Sequence, residues 1–206
     1  MKKAIVVASI NTSFPNDEKH YFGVDRGALY LSKQGIMMEE AIGDFDTVNE
    51  DEMNLISKYS KNIHRLNQIK DETDLEVALS RIINLNFKEI DIYGALGGRV
   101  DHLYANLILL NRYINQAKIK LIDVNNEITI LNEKKEYELL KNKFKYHSFF
   151  AQDEALISLE GFKYDLYHYL LTKNDIITIS NEIMSKRAKL TIHSGSLLYI
   201  QSKDKY

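Results

Sequence analysis

Six aspartates, Asp25, Asp44, Asp46, Asp71, Asp74 and Asp101, stand in the short segments GVDRGA, IGDFDT, KDETD and GALGGRVDH, most of them punctuated by glycine. Carboxylates that converge repel one another: two charges about 4 Å apart cost roughly 4 kcal/mol at an effective dielectric near 20. A fold that gathers several of them needs a cation between them, and an oxygen-only ligand set suits Mg²⁺ better than zinc. These residue types therefore point to a magnesium–phosphate enzyme.

Each segment has its own logic. Ile42–Val48 places two carboxylates at i and i+2 after an apolar run, where an extended backbone turns both to one face and Gly43 allows close approach. It also resembles the opening motif of the haloacid-dehalogenase phosphatases, in which the first Asp is the nucleophile. Here Glu39 and Glu40 stand where that family has apolar residues, and no downstream Asp pair is evident. In Lys70–Leu79, Thr73-x-x-Glu76 reads as a capping box, and Asp74 falls in a helical first turn that favours an acid whatever its chemistry. Asp71 precedes the cap and is freer to face a ligand. Lys70 is either a surface lysine or a phosphate-neutralising one.

Gly94–Asn106 is the most specific stretch. Its glycines, Gly94, Gly97 and Gly98, run from a strand into a helix, an arrangement that exposes backbone N–H groups to phosphate. It is neither a Walker loop nor a dinucleotide fingerprint. Arg99 offers a bidentate fork for phosphate oxygens, with Asp101 and His102 beside it.

The elements that must position these residues follow from hydrophobic periodicity. Apolar runs at Ala4–Ala8, Tyr21–Asp25, Glu40–Gly43, Asn62–Leu66, Glu89–Tyr93 and Lys118–Asp123 predict strands. Helical patterns lie between several of them, at Gly27–Gln34, Asp51–Tyr59, Thr73–Leu85 and Arg99–Ile114. The alternation predicts an α/β layer with a mostly parallel sheet flanked by helices, and ligands in such sheets bind beyond the carboxyl ends of the strands. Asp25, Gly43-Asp44 and Gly94 each follow a strand directly, so they gather on that edge.

After Asn125 only short strand-like runs remain: Glu127–Leu131, Tyr137–Leu140, Tyr146–Phe150, Leu156–Leu159, Ile176–Ile179, Lys189–His193 and Leu197–Gln201. They predict a smaller C-terminal all-β sandwich, giving domains at 1–124 and 125–206. Tyr164, Tyr167 and Tyr169 alternate as residues of one strand face do.

The 206 residues, 45% of them hydrophobic, suffice for cores of this size. With 27 basic against 29 acidic residues and no basic stripe, nucleic acid is not an expected partner. Cysteine is absent, which excludes disulfides, thiolate metal sites and cysteine nucleophiles. The apolar run near the N-terminus is too short for a signal sequence or a membrane span. The expectation is a soluble, cytoplasmic protein with no membrane partner.

Taken together and in order, the segments resemble thiamin pyrophosphokinase. Asp25-Arg26-Gly27-Ala28 matches that family's Asp-Gly-Gly-Ala segment, Gly43–Thr47 its Gly-Asp-Phe-Asp-Ser, Lys70–Asp74 its Lys-Asp-x-Thr-Asp, and Gly97–His102 its Gly-Gly-Arg-x-Asp-His. Gly161–Tyr164 and Ile179–Glu182 match its Gly-Leu-Lys-Trp/Tyr and Thr-Ser-Asn-Glu. The resemblance implies a catalytic α/β domain, a thiamin-binding sandwich and a homodimer whose sites are shared between protomers. It implies pyrophosphoryl transfer from ATP to the thiamin hydroxyl, with Mg²⁺ and triphosphate organised by Asp44, Asp46 and Asp74. Asp25, Lys70, Gly97, Gly98, Arg99, Asp101 and His102 would face the nucleotide. Tyr164 would present an aromatic face to thiamin, with Ser180 and Asn181 at its border. Asp71 is the candidate to help deprotonate the attacking hydroxyl.

The departures are local. Arg26 replaces the first family glycine, and a positive φ there would strain it. Thr47 replaces Ser, and Ser9 or Asn11 stands in for an Asn-Gly near the first strand. With no Trp in the chain, any stacking falls to Tyr164. Two other readings remain open: a non-catalytic thiamin- or nucleotide-binding module, and a Mg²⁺-dependent phosphatase using Asp44.

Overall fold

The computed structural model describes residues 2–10, 12–67, 69 and 71–204. The chain divides into two compact units, Met1–Asp123 and Val124–Tyr206. The first runs β1 (Lys3–Val7), β2 (Tyr21–Val24), α1 (Arg26–Lys33), β3 (Glu40–Gly43), α2 (Glu50–Lys58), β4 (Ile63–Arg65), α3 (Asp74–Asn84), β5 (Glu89–Tyr93), α4 (Val100–Arg112) and β6 (Lys118–Ile122). Its strands pair in the order β6-β5-β1-β2-β3-β4, and every pairing is parallel. Chain growth reverses at β1: β2, β3 and β4 extend one side of it, β5 and β6 the other. A reversal of this kind opens a crevice beyond the carboxyl ends of the strands.

The inner strands are buried almost throughout, with Ile5, Phe22, Ile42, Ile90 and Ile92 fully enclosed. Parallel strands covered on both faces need such continuous apolar runs rather than alternation. α1 presses Ala28, Leu29 and Leu31 into a cluster with Ile5, Val7, Met38 and Ile56. α3 buries Leu75, Ala78, Leu79, Ile82 and Ile83.

Two polar arrangements fix the helices beside β3. Asn49 and Glu52 form a reciprocal capping box at the start of α2. At α3 the expected box is one-sided. Thr73 Oγ1 accepts from the Glu76 amide at 3.2 Å, but the Glu76 carboxylate is engaged by Arg112 and makes no return bond. Arg81 then forks onto the nearly buried Glu40, Nε at 3.1 Å and Nη2 at 2.6 Å. Arg81 lies about 10 Å along α3 from Asp74, and Glu40 about 10 Å along β3 from Gly43. Clamping Arg81 to Glu40 therefore brings Asp74 level with the end of β3.

The second unit comprises β7 (Asn126–Leu131), β8 (Glu136–Leu140), β9 (Tyr146–Ala151), β10 (Glu154–Glu160), β11 (Leu166–Thr172), β12 (Asn181–Glu182), β13 (Arg187–Ser194) and β14 (Leu197–Ser202). They form two antiparallel layers, β12-β9-β14-β7 and β11-β10-β13-β8. Leu131, Phe149, Leu197 and Tyr199 from one layer share a core with Ile157, Leu159, Leu190 and Ile192 from the other, so this unit is a sandwich.

The structure corrects three expectations here. Ile176–Ile179 is a turn, closed by the Ile179 amide on the Ile176 carbonyl at 3.2 Å, and its three isoleucines are exposed. Leu166–Thr172 is instead a full strand. Its pattern is obscured because His168 has φ 44° and the ladder to β10 shifts register between Ile157 and Leu159. For that reason the tyrosines do not share a strand face: Tyr164 precedes β11, Tyr167 is exposed, and Tyr169 packs on the core.

Within the sandwich His147 is buried, with Nδ1 2.6 Å from the Tyr199 hydroxyl and the two rings stacked. Burial pulls the His147 pKa down to about 4. An unfolded histidine takes up its proton near pH 6.5, so between those values the unfolded state binds more protons and stability falls as pH falls. Lowering pH from 7 to 5 should cost about 2 kcal/mol through this group. His147→Gln should flatten that part of the profile, as read from urea unfolding at the two pH values.

Candidate active site

Three carboxylates converge at the edge that the sheet topology prepares. Oxygens of Asp25, Asp44 and Asp74 all lie within 4.8 Å of one another, and each residue is half-buried. Asp25 follows β2, Asp44 follows β3, and Asp74 opens α3. Asp25 is held with φ 48°, ψ −121°, its amide bonded to the Ile42 carbonyl at 2.9 Å, and its side chain makes no capping bond to α1. Non-glycine residues at positive φ carry strain of about 1–3 kcal/mol. The strain here turns the carboxylate away from its own helix and toward Gly43. A Cβ at Gly43 would lie 2.0 Å from Asp25 Oδ1, an oxygen sealed from solvent, so any larger residue there would displace the Asp25 carboxylate.

Asp46 serves this turn through its backbone. Its amide donates to Asp44 Oδ1 at 3.0 Å, and Phe45 between them takes φ 57°. The Asp46 side chain is exposed and outside the carboxylate group. Asp71 is also exposed and outside it. The expected pairing of Asp44 with Asp46 is not what the structure brings together: Asp25 stands with Asp44 and Asp74, and Phe45 at φ 57° breaks the extended geometry that would put the i and i+2 side chains on one face. Lys70 lies outside the described residues.

The donor set suits a hard cation. Ligands on octahedral Mg²⁺ at about 2.1 Å lie about 3.0 Å apart when adjacent and about 4.2 Å apart when opposite. Three carboxylate oxygens within 4.8 Å would draw inward to share one ion.

The glycine loop follows β5, two strands from β2 and therefore about 10 Å across the sheet from Asp25. Its three glycines do different work. Gly94, at φ 83°, packs so tightly that a Cβ would lie 2.8 Å from Ser9, whereas Gly97 and Gly98 face open space. Asn106, half-buried on α4, donates to the Ala95 carbonyl at 2.9 Å and ties the loop down. Asn106 closes the glycine-rich segment in the sequence, and its signal there is an amide on a helix little more than one turn past Asp101. Arg99 forks onto Asp101, with Nε 3.1 Å from Oδ1, and this hydrogen bond holds the Asp101 pKa down at about 2. Both side chains are exposed, as is His102, whose amide donates to Asp101 at 3.0 Å. A phosphate group can replace Asp101 as the partner of Arg99 at little cost, because exposed ion pairs are weak.

In the sandwich, Asn181 is buried and its amide is committed to Tyr164. Oδ1 accepts from the Tyr164 amide at 3.0 Å and Nδ2 donates to its carbonyl at 2.8 Å. Ser180 takes φ 55° with its amide on Ser148 Oγ at 2.9 Å. Asn181 thus sets the backbone that projects the exposed Tyr164 ring.

The family model described as "Thiamin pyrophosphokinase, catalytic domain" matches residues 13–122, and the "Thiamin pyrophosphokinase, vitamin B1 binding domain" matches residues 127–198. The chain belongs to the thiamin pyrophosphokinase family. It is 36% identical over 197 residues to the thiamine pyrophosphokinase of Bacillus subtilis, spanning 94% of this chain and 92% of that one. The crystal structure of thiamine pyrophosphokinase from Bacillus subtilis superposes with a TM-score of 0.89 at 31% identity, covering 99% of this chain and all of that one. A thiamin pyrophosphokinase family protein from Enterococcus faecalis gives 0.87 at 27% identity, covering 98% and 100%. The Candida albicans thiamin pyrophosphokinase, at 13% identity and a TM-score of 0.82, covers 98% and 89% and shares the fold.

Against the thiamin pyrophosphokinase pattern, Arg26 proves harmless to the backbone. It is the first helical residue of α1, and the positive φ falls on Asp25. The glycine that the fold cannot replace is Gly27, where a Cβ would lie 1.9 Å from the Val7 carbonyl oxygen.

Three like charges this close repel one another, and a bound divalent cation relieves that repulsion. Asp44→Asn should therefore sharply reduce the rise in Tm that Mg²⁺ gives the wild type, read by scanning calorimetry.

Proposed function

We propose that the protein is an ATP-dependent thiamin pyrophosphokinase, transferring the pyrophosphoryl group of ATP to the thiamin hydroxyl to give thiamin diphosphate and AMP. The observation that carries the reading is the convergence of Asp25, Asp44 and Asp74 in a chain whose two parts match the two domains of that family. The three aspartates would hold Mg²⁺, which when bound neutralises phosphate oxygens and aligns them. Phosphoryl-type transfer asks mainly for that neutralisation and for in-line placement.

The thiamin hydroxyl oxygen attacks the β-phosphorus, the bond from that phosphorus to the α–β bridging oxygen breaks, and AMP leaves. Arg99 exchanges Asp101 for phosphate oxygens and offsets charge on the transferring group. Gly97 and Gly98 leave room beside it. Asp71, exposed and outside the carboxylate group, is the candidate acceptor for the hydroxyl proton. Tyr164 offers its ring to thiamin, whose cationic thiazolium is attracted to an aromatic face. A homodimer is supported by the exposed Ile176, Ile177, Ile179 and Met184 around the Tyr164 turn, since such apolar groups cluster at interfaces. Among the described residues no helix is long and apolar enough to cross a membrane, and we assign the enzyme to the cytoplasm.

Purified protein with ATP, Mg²⁺ and thiamin should form thiamin diphosphate and AMP in equal amounts, with EDTA abolishing both. Asp44→Asn should lower kcat/KM at least about a hundredfold, and Asp71→Asn should lower kcat if Asp71 takes the proton. Release of inorganic phosphate without thiamin diphosphate would favour the phosphatase reading instead.

A further inference from the structure

Lys141, Lys143 and Lys145 stand at alternate positions of the turn between β8 and β9. The turn is held at several points. The Lys141 amide donates to the Lys186 carbonyl at 3.0 Å, Asn142 Oδ1 accepts from the Phe144 amide at 2.8 Å, and Asn142 Nδ2 donates to Gln201 Oε1 at 2.8 Å. Phe144 itself is buried. The three lysines border a cavity of about 270 Å³ that Phe144, His147, Glu182 and Ile183 also line. Its one acid, Glu182, is already engaged by Lys145 at 4.0 Å and by Lys163 at 3.2 Å. Among the described residues Lys141 and Lys143 meet no carboxylate. A chain with a formal charge of −2 thus carries three cations against one anion around this cavity. Tyr164, Ser180 and Asn181 do not line it, so it is distinct from the aromatic face proposed for thiamin.

A second observation comes from inside the sandwich. His147 is 1% exposed, its ring stacked on Tyr199 and set edge-on to Phe162. Nδ1 meets the Tyr199 hydroxyl at 2.6 Å, and that hydroxyl has no other partner among the described residues. As an acceptor it would keep its own proton buried and unpaired, so it donates to Nδ1. Burial holds the imidazole neutral at pH 7, and its single proton therefore sits on Nε2. Among the described residues Nε2 has no partner, yet the only fully buried side-chain nitrogen or oxygen without one is Asp25 Oδ1. The Nε2–H is consequently open to the cavity that the ring lines. Three ammonium groups and this N–H are all donors, and they call for a ligand built of acceptors. At about 270 Å³ the cavity falls below the usual range for drug-sized ligands, so that ligand is small.

We propose that this cavity binds a small, multiply charged oxyanion, a phosphate or diphosphate group, through Lys141, Lys143 and Lys145 with His147 Nε2–H as a buried neutral donor. The proposal does not rest on the ATP-dependent reading. The group can arrive as the free inorganic anion or as part of an ester.

The probe is inorganic diphosphate, added to the metal-free full chain and followed by long-range ¹H–¹⁵N NMR of the histidine rings. His147 is assigned by the signals that His147→Gln removes. A saturable shift of its Nε2 resonance is expected, and diphosphate held only by Arg99 would leave that ring unmoved. The double variant Lys141→Gln/Lys143→Gln, with a melting curve to establish folding, should bind about tenfold more weakly. Added NaCl should weaken binding to the wild type, a measurement that needs no variant. AMP tested in the same way assigns the source: the same shift means that esters enter, and no shift means that the site takes the free anion. Either result supports an oxyanion site. A His147 resonance that diphosphate leaves in place overturns it, as does binding that neither the lysine variant nor salt weakens. Since nothing here is read through turnover, failure to make thiamin diphosphate would overturn the activity alone.

Discussion

Mutual repulsion among Asp25, Asp44 and Asp74 is the constraint around which the first unit is arranged. Three carboxylates within 4.8 Å do not stay together by themselves, and each is held by a different device. Asp25 sits on a strained backbone at the end of a buried strand. Asp44 is fixed by a turn in which its Oδ1 accepts from the Asp46 amide. Asp74 is placed by the Thr73 cap and by the Arg81–Glu40 clamp one helix-length away. The apolar interior of the parallel sheet makes these placements stiff, since close-packed cores do not yield to local repulsion.

The same economy governs the surrounding loops. Polar groups that look chemical in the sequence are spent on backbone. Asn181 orients Tyr164, Asn106 ties the glycine loop, and the Asp46 amide closes the turn after Gly43. Groups left exposed, Arg99 and Asp101 above all, are held by one another weakly enough to exchange partners. Preorganisation is thus concentrated at the carboxylates, while adaptability is left to the phosphate-facing arginine.

Much of the scaffold was legible because it is written in local pattern. Continuous apolar runs followed by helical periodicity predicted every strand and helix of the first unit within a residue or two. The sandwich was harder. Ile176–Ile179 has the composition of a strand but closes on itself as a turn, and β11 was obscured by a positive φ and a register shift. Short strands are decided by their partners across the sheet, and a single sequence does not show those partners.

By itself the sequence determined which residues carry charge, where the strands end, and hence that several aspartates and a glycine-rich loop share one edge of a parallel sheet. It also determined the family, through motifs that stand in order along the chain. Only the tertiary structure decided which carboxylates meet. The turn at Gly43 and the strained φ of Asp25 bring in Asp25 and leave Asp46 outside, and Asp74 arrives through an ion pair between residues 41 positions apart. Local spacing states which way side chains could point; distance between segments is fixed by packing, and convergence is a property of that distance.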